Sequence, residues 1–174
     1  AKRTGITPKG AYIILKKNEK LGLVTKKTIA NAVIYRLNYQ DKKTKDVVEY
    51  ALKSEQPSNS YVAVLEKDLQ LIQKIADAVI LFGSVLTKGL QANDLDVLVI
   101  INPKNLFALK AKIKEFESIS PKKVHLVIQT KADMQKNLRK KDPVIMEVLR
   151  KGHILWGYDL LYQFIENVQK QGDF

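Results

Sequence analysis

Two short clusters carry side chains that could do chemistry together. Gly83-Ser84 ends an apolar run at Leu81-Phe82, and Asp94-Leu95-Asp96 opens another at Val97-Leu98-Val99, with nine residues between them. Glycine lets the backbone turn sharply and admits an anion at close range. Ser84 adds a hydroxyl and a backbone N–H at an expected helix start, a natural seat for phosphate. On a strand, Asp94 and Asp96 project from one face while Leu95 points into the opposite layer. Carboxylates held this close repel one another unless a cation lies between them. Hard oxygen donors beside a phosphate seat suit Mg²⁺ or Mn²⁺. Either cluster alone is a common turn; in register between apolar strands, the pair reads as a site.

The elements that must position these residues follow from periodicity. Leu65–Ala76 reads as an amphipathic helix through Leu69, Ile72 and Ile75. Ala78–Phe82 is a buried strand stopped by Gly83, and Leu95–Ile101 is a second, ended by Asn102-Pro103. Leu106–Phe116 follows as a helix and Lys123–Gln129 as a strand. A helix from Asp142-Pro143 through Val148 ends at Gly152, His153–Trp156 is a short strand, and Asp159–Gln169 closes as a helix. Apolar strands alternating with helices indicate an α/β sheet covered on at least one side.

Upstream, turn residues gather at Ser54–Ser60 and divide the chain into a basic region, 1–60, and a larger domain, 61–174. Pro8 opens a helix over Gly10–Lys17. Thr25 caps an expected helix over Lys26–Leu37, because Ile29, Val33, Ile34 and Leu37 recur at helical spacing. Val33, Tyr35, Leu37 and Tyr39 also alternate, so a hairpin of Val33–Tyr39 with Val47–Leu52 fits the same residues; Thr44–Leu52 is otherwise a helix. With Lys26, Lys27 and Arg36 placed near phosphates, Gly22–Leu37 is similar to the second half of a helix-turn-helix. The region is thus expected to be helical or winged-helix-like.

Composition removes several classes. The chain of 174 residues is 45% apolar and 28% charged, enough to fold around its own core. It has no cysteine, which excludes disulfides, thiolate metal sites and cysteine nucleophiles. Apolar runs are too short to span a bilayer and no signal-peptide pattern opens the sequence, so a cytoplasmic protein without membrane contact is expected. The net charge is +12. Residues 1–60 hold 13 Lys+Arg against 5 Asp+Glu, so the excess lies mainly outside the domain that carries these clusters and would attract polyanions such as nucleic acid.

Leu81-Phe82-Gly83-Ser84 followed by Asp94-Leu95-Asp96 resembles the signature of the nucleotidyltransferase fold of the DNA polymerase β superfamily, closest to its minimal prokaryotic members. The segment from Asp142-Pro143 to Lys151-Gly152-His153-Ile154-Leu155-Trp156-Gly157 is similar to the ending of such domains. The resemblance covers roughly residues 61–174 and implies a small mixed sheet with flanking helices. It further implies transfer of a nucleoside monophosphate from an NTP, with ATP the expected donor, to an acceptor. Gly83 and Ser84 would bind the triphosphate, Lys88 would touch a phosphate, and Asp94 and Asp96 would hold Mg²⁺ or Mn²⁺. The family usually places a third carboxylate on the strand after the next helix. That strand here reads Lys123-Val124-His125-Leu126-Val127-Ile128-Gln129, with His125 in the acid's place. Imidazole ligates transition metals or accepts a proton, but removes an anionic oxygen from a Mg²⁺ site. Asp133, just beyond, is assigned to capping a short helix. The competing reading is a degenerate domain that binds nucleic acid or a protein partner, as an antitoxin binds its toxin.

Overall fold

The computed structural model describes residues 5–54, 57, 59–120 and 122–170. Glu55, Gln56 and Ser58 of the expected break lie outside the described residues. The chain forms two compact units, Ala1–Ala51 and Leu52–Phe174.

In the first unit, α1 (Pro8–Lys20) starts as its sequence dictates. Pro8 takes the first helical position, and the Thr7 hydroxyl accepts a hydrogen bond from Gly10 N at 3.1 Å. The helix expected over Lys26–Leu37 is instead an antiparallel hairpin of β1 (Val24–Ile29) and β2 (Ala32–Leu37), with Val24 opposite Leu37 and Ile29 opposite Ala32. This overturns the helix-turn-helix reading. Val24, Thr25, Thr28, Ile29, Val33 and Ile34 are β-branched and lose side-chain freedom in a helix. The turn between them places Ala30 at φ 49°, in the left-handed region that a helix cannot use. The hairpin pairs β1 with β2, so Val47–Leu52 is not its second strand; those residues lie in α2 (Lys42–Lys53).

The second unit opens with α3 (Ser60–Asp68), whose N-cap is Asn59. The helix expected over Leu65–Ala76 breaks after Asp68 into a tighter turn at Leu69–Ile72, and β3 (Ala76–Phe82) then begins. After a single helical turn, α4 (Val85–Lys88), come β4 (Asp94–Ile101), α5 (Leu106–Ile119), β5 (Lys123–Gln129), α6 (Lys131–Arg139), α7 (Pro143–Lys151), β6 (His153–Trp156) and α8 (Tyr158–Lys170). The sheet runs β5-β4-β3-β6. β5 lies parallel to β4, while β3 is antiparallel to both β4 and β6.

Both apolar cores belong to this unit, one on each face of the sheet. Val79, Leu81, Leu95, Val97 and Val99 pack with Leu65, Leu109 and Phe116 from α3 and α5. Ala78, Ile80, Leu98 and Ile100 pack with Met134, Val148 and Phe164 from α6, α7 and α8. Burial on both faces explains why β3 and β4 read as continuous apolar runs rather than as alternating ones. Among the described residues, no helix is long and apolar enough to cross a membrane.

Candidate metal centre

Strand period and register decide which side chains meet. Leu95, Val97 and Val99 face α3 and α5, so Asp94 and Asp96 share the parity of Leu98 and Ile100 and face the other layer. On β5, Val124, Leu126 and Ile128 pack toward the first core and Val127 toward the second. His125 has the parity of Val127 and stands directly beside Asp96 in the parallel register. Both strands begin at this end of the sheet, and β3, antiparallel to β4, finishes there at Phe82 opposite Asp96. One end of the sheet therefore collects the carboxylate pair, the imidazole and the Gly83-Ser84 turn.

His125 Nδ1 lies 3.4 Å from Asp94 Oδ2 and 3.5 Å from Asp96 Oδ1. One donor atom from each of the three side chains falls within 4.8 Å of the others. The aspartates are half-buried, whereas the His125 side chain is 60% exposed, leaving the cluster open to solvent on one side. Such a set of two oxygens and one nitrogen can hold a divalent cation, and its open side leaves room for a substrate oxygen.

Gly83 makes the approach of β3 to this cluster possible. Its φ is +75°, and a Cβ built there would collide with Asp96 Oδ2. Only glycine allows the turn to lie against the carboxylate. Ser84 starts α4, but its side chain makes no capping hydrogen bond, and the helix has a single turn. Beside this turn is a cleft of about 470 Å³, lined by Gly83, Ser84, Thr87, Val144, Glu147 and Lys151 among others. Lys151 Nζ donates to Glu147 Oε1 at 2.9 Å, and this bond holds the Glu147 carboxyl below the ordinary glutamate range. Lys88, at the end of α4, is exposed and does not line the cleft. A larger cleft of about 560 Å³ lies near Ile101, at the far end of β4 from Asp94. Its acid, Asp77, is already paired with Lys131 at 3.3 Å, so size alone does not mark the site.

Two supporting residues escaped the sequence reading. Asn59 caps α3 by accepting from Val62 N and donates to the carbonyls of Val85 and Leu86, all at 3.1 Å, tying α4 to α3. Its position before an apolar helical run was a legible cap signal. Lys122 is buried; its ammonium donates to Leu90 O at 2.7 Å and to Ala92 O, and sits 5.6 Å from the centre of the Tyr61 ring. It pins the loop that delivers Asp94, and nothing in the sequence separates it from the many surface lysines. Asp133 does cap α6. The Thr130 hydroxyl donates to its carboxylate at 2.7 Å, and Asp133 N donates to that hydroxyl at 3.0 Å. The first of these bonds is the main reason the Asp133 carboxyl stays below its usual range.

The basic residues assigned to nucleic acid occupy the hairpin, not a recognition helix. Lys27 and Arg36 fall on one face of it and Lys26 on the other, so strand parity separates them.

A family model described as a nucleotidyltransferase domain matches residues 62–149. That span is half of the chain and contains Gly83, Ser84, Asp94, Asp96 and His125. No curated protein matches the chain.

Proposed function

The chain belongs to the nucleotidyltransferase domain family, and from that membership we propose that it transfers a nucleoside monophosphate from an NTP to an acceptor nucleophile at the Gly83/Asp96 end of the sheet. The observation that supports this reading is the close approach of the Gly83 turn to the Asp96 carboxylate, so that a triphosphate received at the turn would lie beside a candidate cation site. Gly83 and Ser84 would receive the triphosphate. Lys151, in the same cleft, is better placed than Lys88 to neutralise it by exchanging its bond to Glu147 for one to phosphate.

Asp94 and Asp96 would hold a divalent cation, with His125 as the third donor. When bound, such an ion supplies charge neutralisation for the triphosphate and the leaving group. Asp94 and Asp96 are the two half-buried residues of a strand that is otherwise buried, so its packing would set their positions before substrate binds. In the transfer, the acceptor oxygen bonds to the α-phosphorus and the bond from that phosphorus to the bridging oxygen breaks. Pyrophosphate leaves with the electron pair, and the acceptor proton passes to solvent at this open end of the sheet.

The test is incorporation of label from an α-labelled NTP, ATP first, into protein and RNA acceptors with Mg²⁺ or Mn²⁺ present. Wild type is expected to transfer label, and Asp94→Asn with Asp96→Asn to abolish transfer. Nucleotide binding without transfer under any divalent ion would leave a nucleotide-binding module and refute the enzymatic reading.

A further inference from the structure

We propose that His125 makes this centre selective for a borderline transition-metal ion, of the Zn²⁺ or Co²⁺ type, over Mg²⁺. The inference deepens the function proposed above and rests on it for the role of the two carboxylates.

Two observations converge on His125. It is placed by β5 register beside Asp96 and on the same face as both carboxylates, so it belongs to the cluster rather than to a separate surface. Its Nδ1 stands 3.4 and 3.5 Å from one oxygen of each aspartate. A direct charge-assisted N–H···O bond would be about 2.7–2.9 Å. The spacing is too long for such a bond, while the three donor atoms lie within 4.8 Å of one another, close enough to share one ion.

Ligand chemistry points the same way. Mg²⁺ is a hard ion that takes oxygen donors and gives up its water reluctantly, whereas imidazole suits Zn²⁺ and its neighbours. A carboxylate at position 125 would add a third negative oxygen. Histidine withholds that charge and offers a nitrogen instead. The exposed side of the cluster leaves a bound ion accessible to water or substrate.

The test titrates the full-length metal-free protein with Zn²⁺, Co²⁺ and Mg²⁺ by calorimetry without nucleotide, and follows the visible absorption of the Co²⁺ form. Because most nitrogen- and oxygen-donor sites bind Zn²⁺ more tightly than Mg²⁺, the deciding quantity is the change in the affinity ratio on substitution. His125→Asp is expected to narrow the Co²⁺/Mg²⁺ ratio at least tenfold, strengthening Mg²⁺ and weakening Co²⁺. His125→Ala should weaken Co²⁺ by a similar factor, leave Mg²⁺ nearly unchanged and alter the absorption. The second histidine, His153, provides the control: His153→Asn should leave all three affinities in place. A ratio unchanged in folded His125→Asp would overturn the proposal. Label transfer supported by Mg²⁺ with that unchanged ratio would leave the function above standing. A His125-dependent ratio without transfer under any ion would do the reverse.

Discussion

Replacing Gly83 by alanine should damage the candidate centre more than it damages the fold. At φ +75° an alanine is in the left-handed region, at a cost of about 1–2 kcal/mol. The added Cβ would also strike Asp96 Oδ2 and lie 3.0 Å from Cγ and 3.3 Å from the Cβ of Asp96. Relief requires the carboxylate to swing away by about 1 Å, a displacement that can lower the effect of a positioned group by about 10²-fold. The same rotation moves Oδ1, the atom 3.5 Å from His125 Nδ1. Gly22 supplies a matched control. Its φ is +76°, but the nearest obstacle to a Cβ is the flexible tip of Asp41 at 3.2 Å. Calorimetric titration with Co²⁺, paired with denaturant unfolding, should show Gly83→Ala losing at least about tenfold in ion affinity, or about 1.4 kcal/mol, while remaining folded. Gly22→Ala should keep the wild-type affinity. The reasoning fails if Gly83→Ala binds as wild type does, or if both variants lose affinity equally.

Lys122→Met should keep much of the buried stem but leave the Leu90 and Ala92 carbonyls without their ammonium donor, destabilising the fold by about 1–3 kcal/mol; unchanged denaturant unfolding would contradict its role in pinning the loop. Lys151→Ala should weaken ATP binding several-fold in a fluorescence titration with Co²⁺ affinity unaffected, and equal ATP affinity would remove Lys151 from the phosphate seat. Asp133 and Glu147 are both held below their ordinary values by hydrogen bonds, from Thr130 and Lys151 respectively. A lowered folded value means their contribution is fully present above the unfolded carboxylate range, at about pH 4, and is lost as pH falls through the folded value. Asp133→Asn and Glu147→Gln should therefore each flatten the acid limb of a melting-temperature profile slightly, since both groups are exposed.

The candidate site was legible because its signals are local and its strands are simple. Asp94 and Asp96 needed only the period of two, and the bounds of β5 and β6 read directly from apolar runs closed by polar turns. His125 was placed through its resemblance to a family position, and the parallel register sets it beside Asp96. The hairpin was harder. Val33, Ile34 and Leu37 satisfy both helical and strand spacing, and the left-handed turn at Ala30 carries no glycine to announce it. Asn59-Ser60 was read as linker because Pro57 and its polar neighbours dominate that stretch, although the same asparagine caps α3. Lys122 and Lys151 could not be found from one sequence. Their roles depend on contacts with Leu90, Ala92 and the cleft beside Gly83, which only the folded chain brings together.

Ternary binding tests the central claim most directly. Calorimetric titration with a non-hydrolysable ATP analogue, with and without Mg²⁺, Mn²⁺ or Co²⁺, asks whether the carboxylates and the Gly83 turn act as one site. Wild type is expected to bind the analogue at least about tenfold, or 1.4 kcal/mol, more tightly when the ion is present, and Asp94→Asn with Asp96→Asn to lose that gain while remaining folded. Analogue binding that ignores the ion, or that survives unchanged in the double variant, would contradict it.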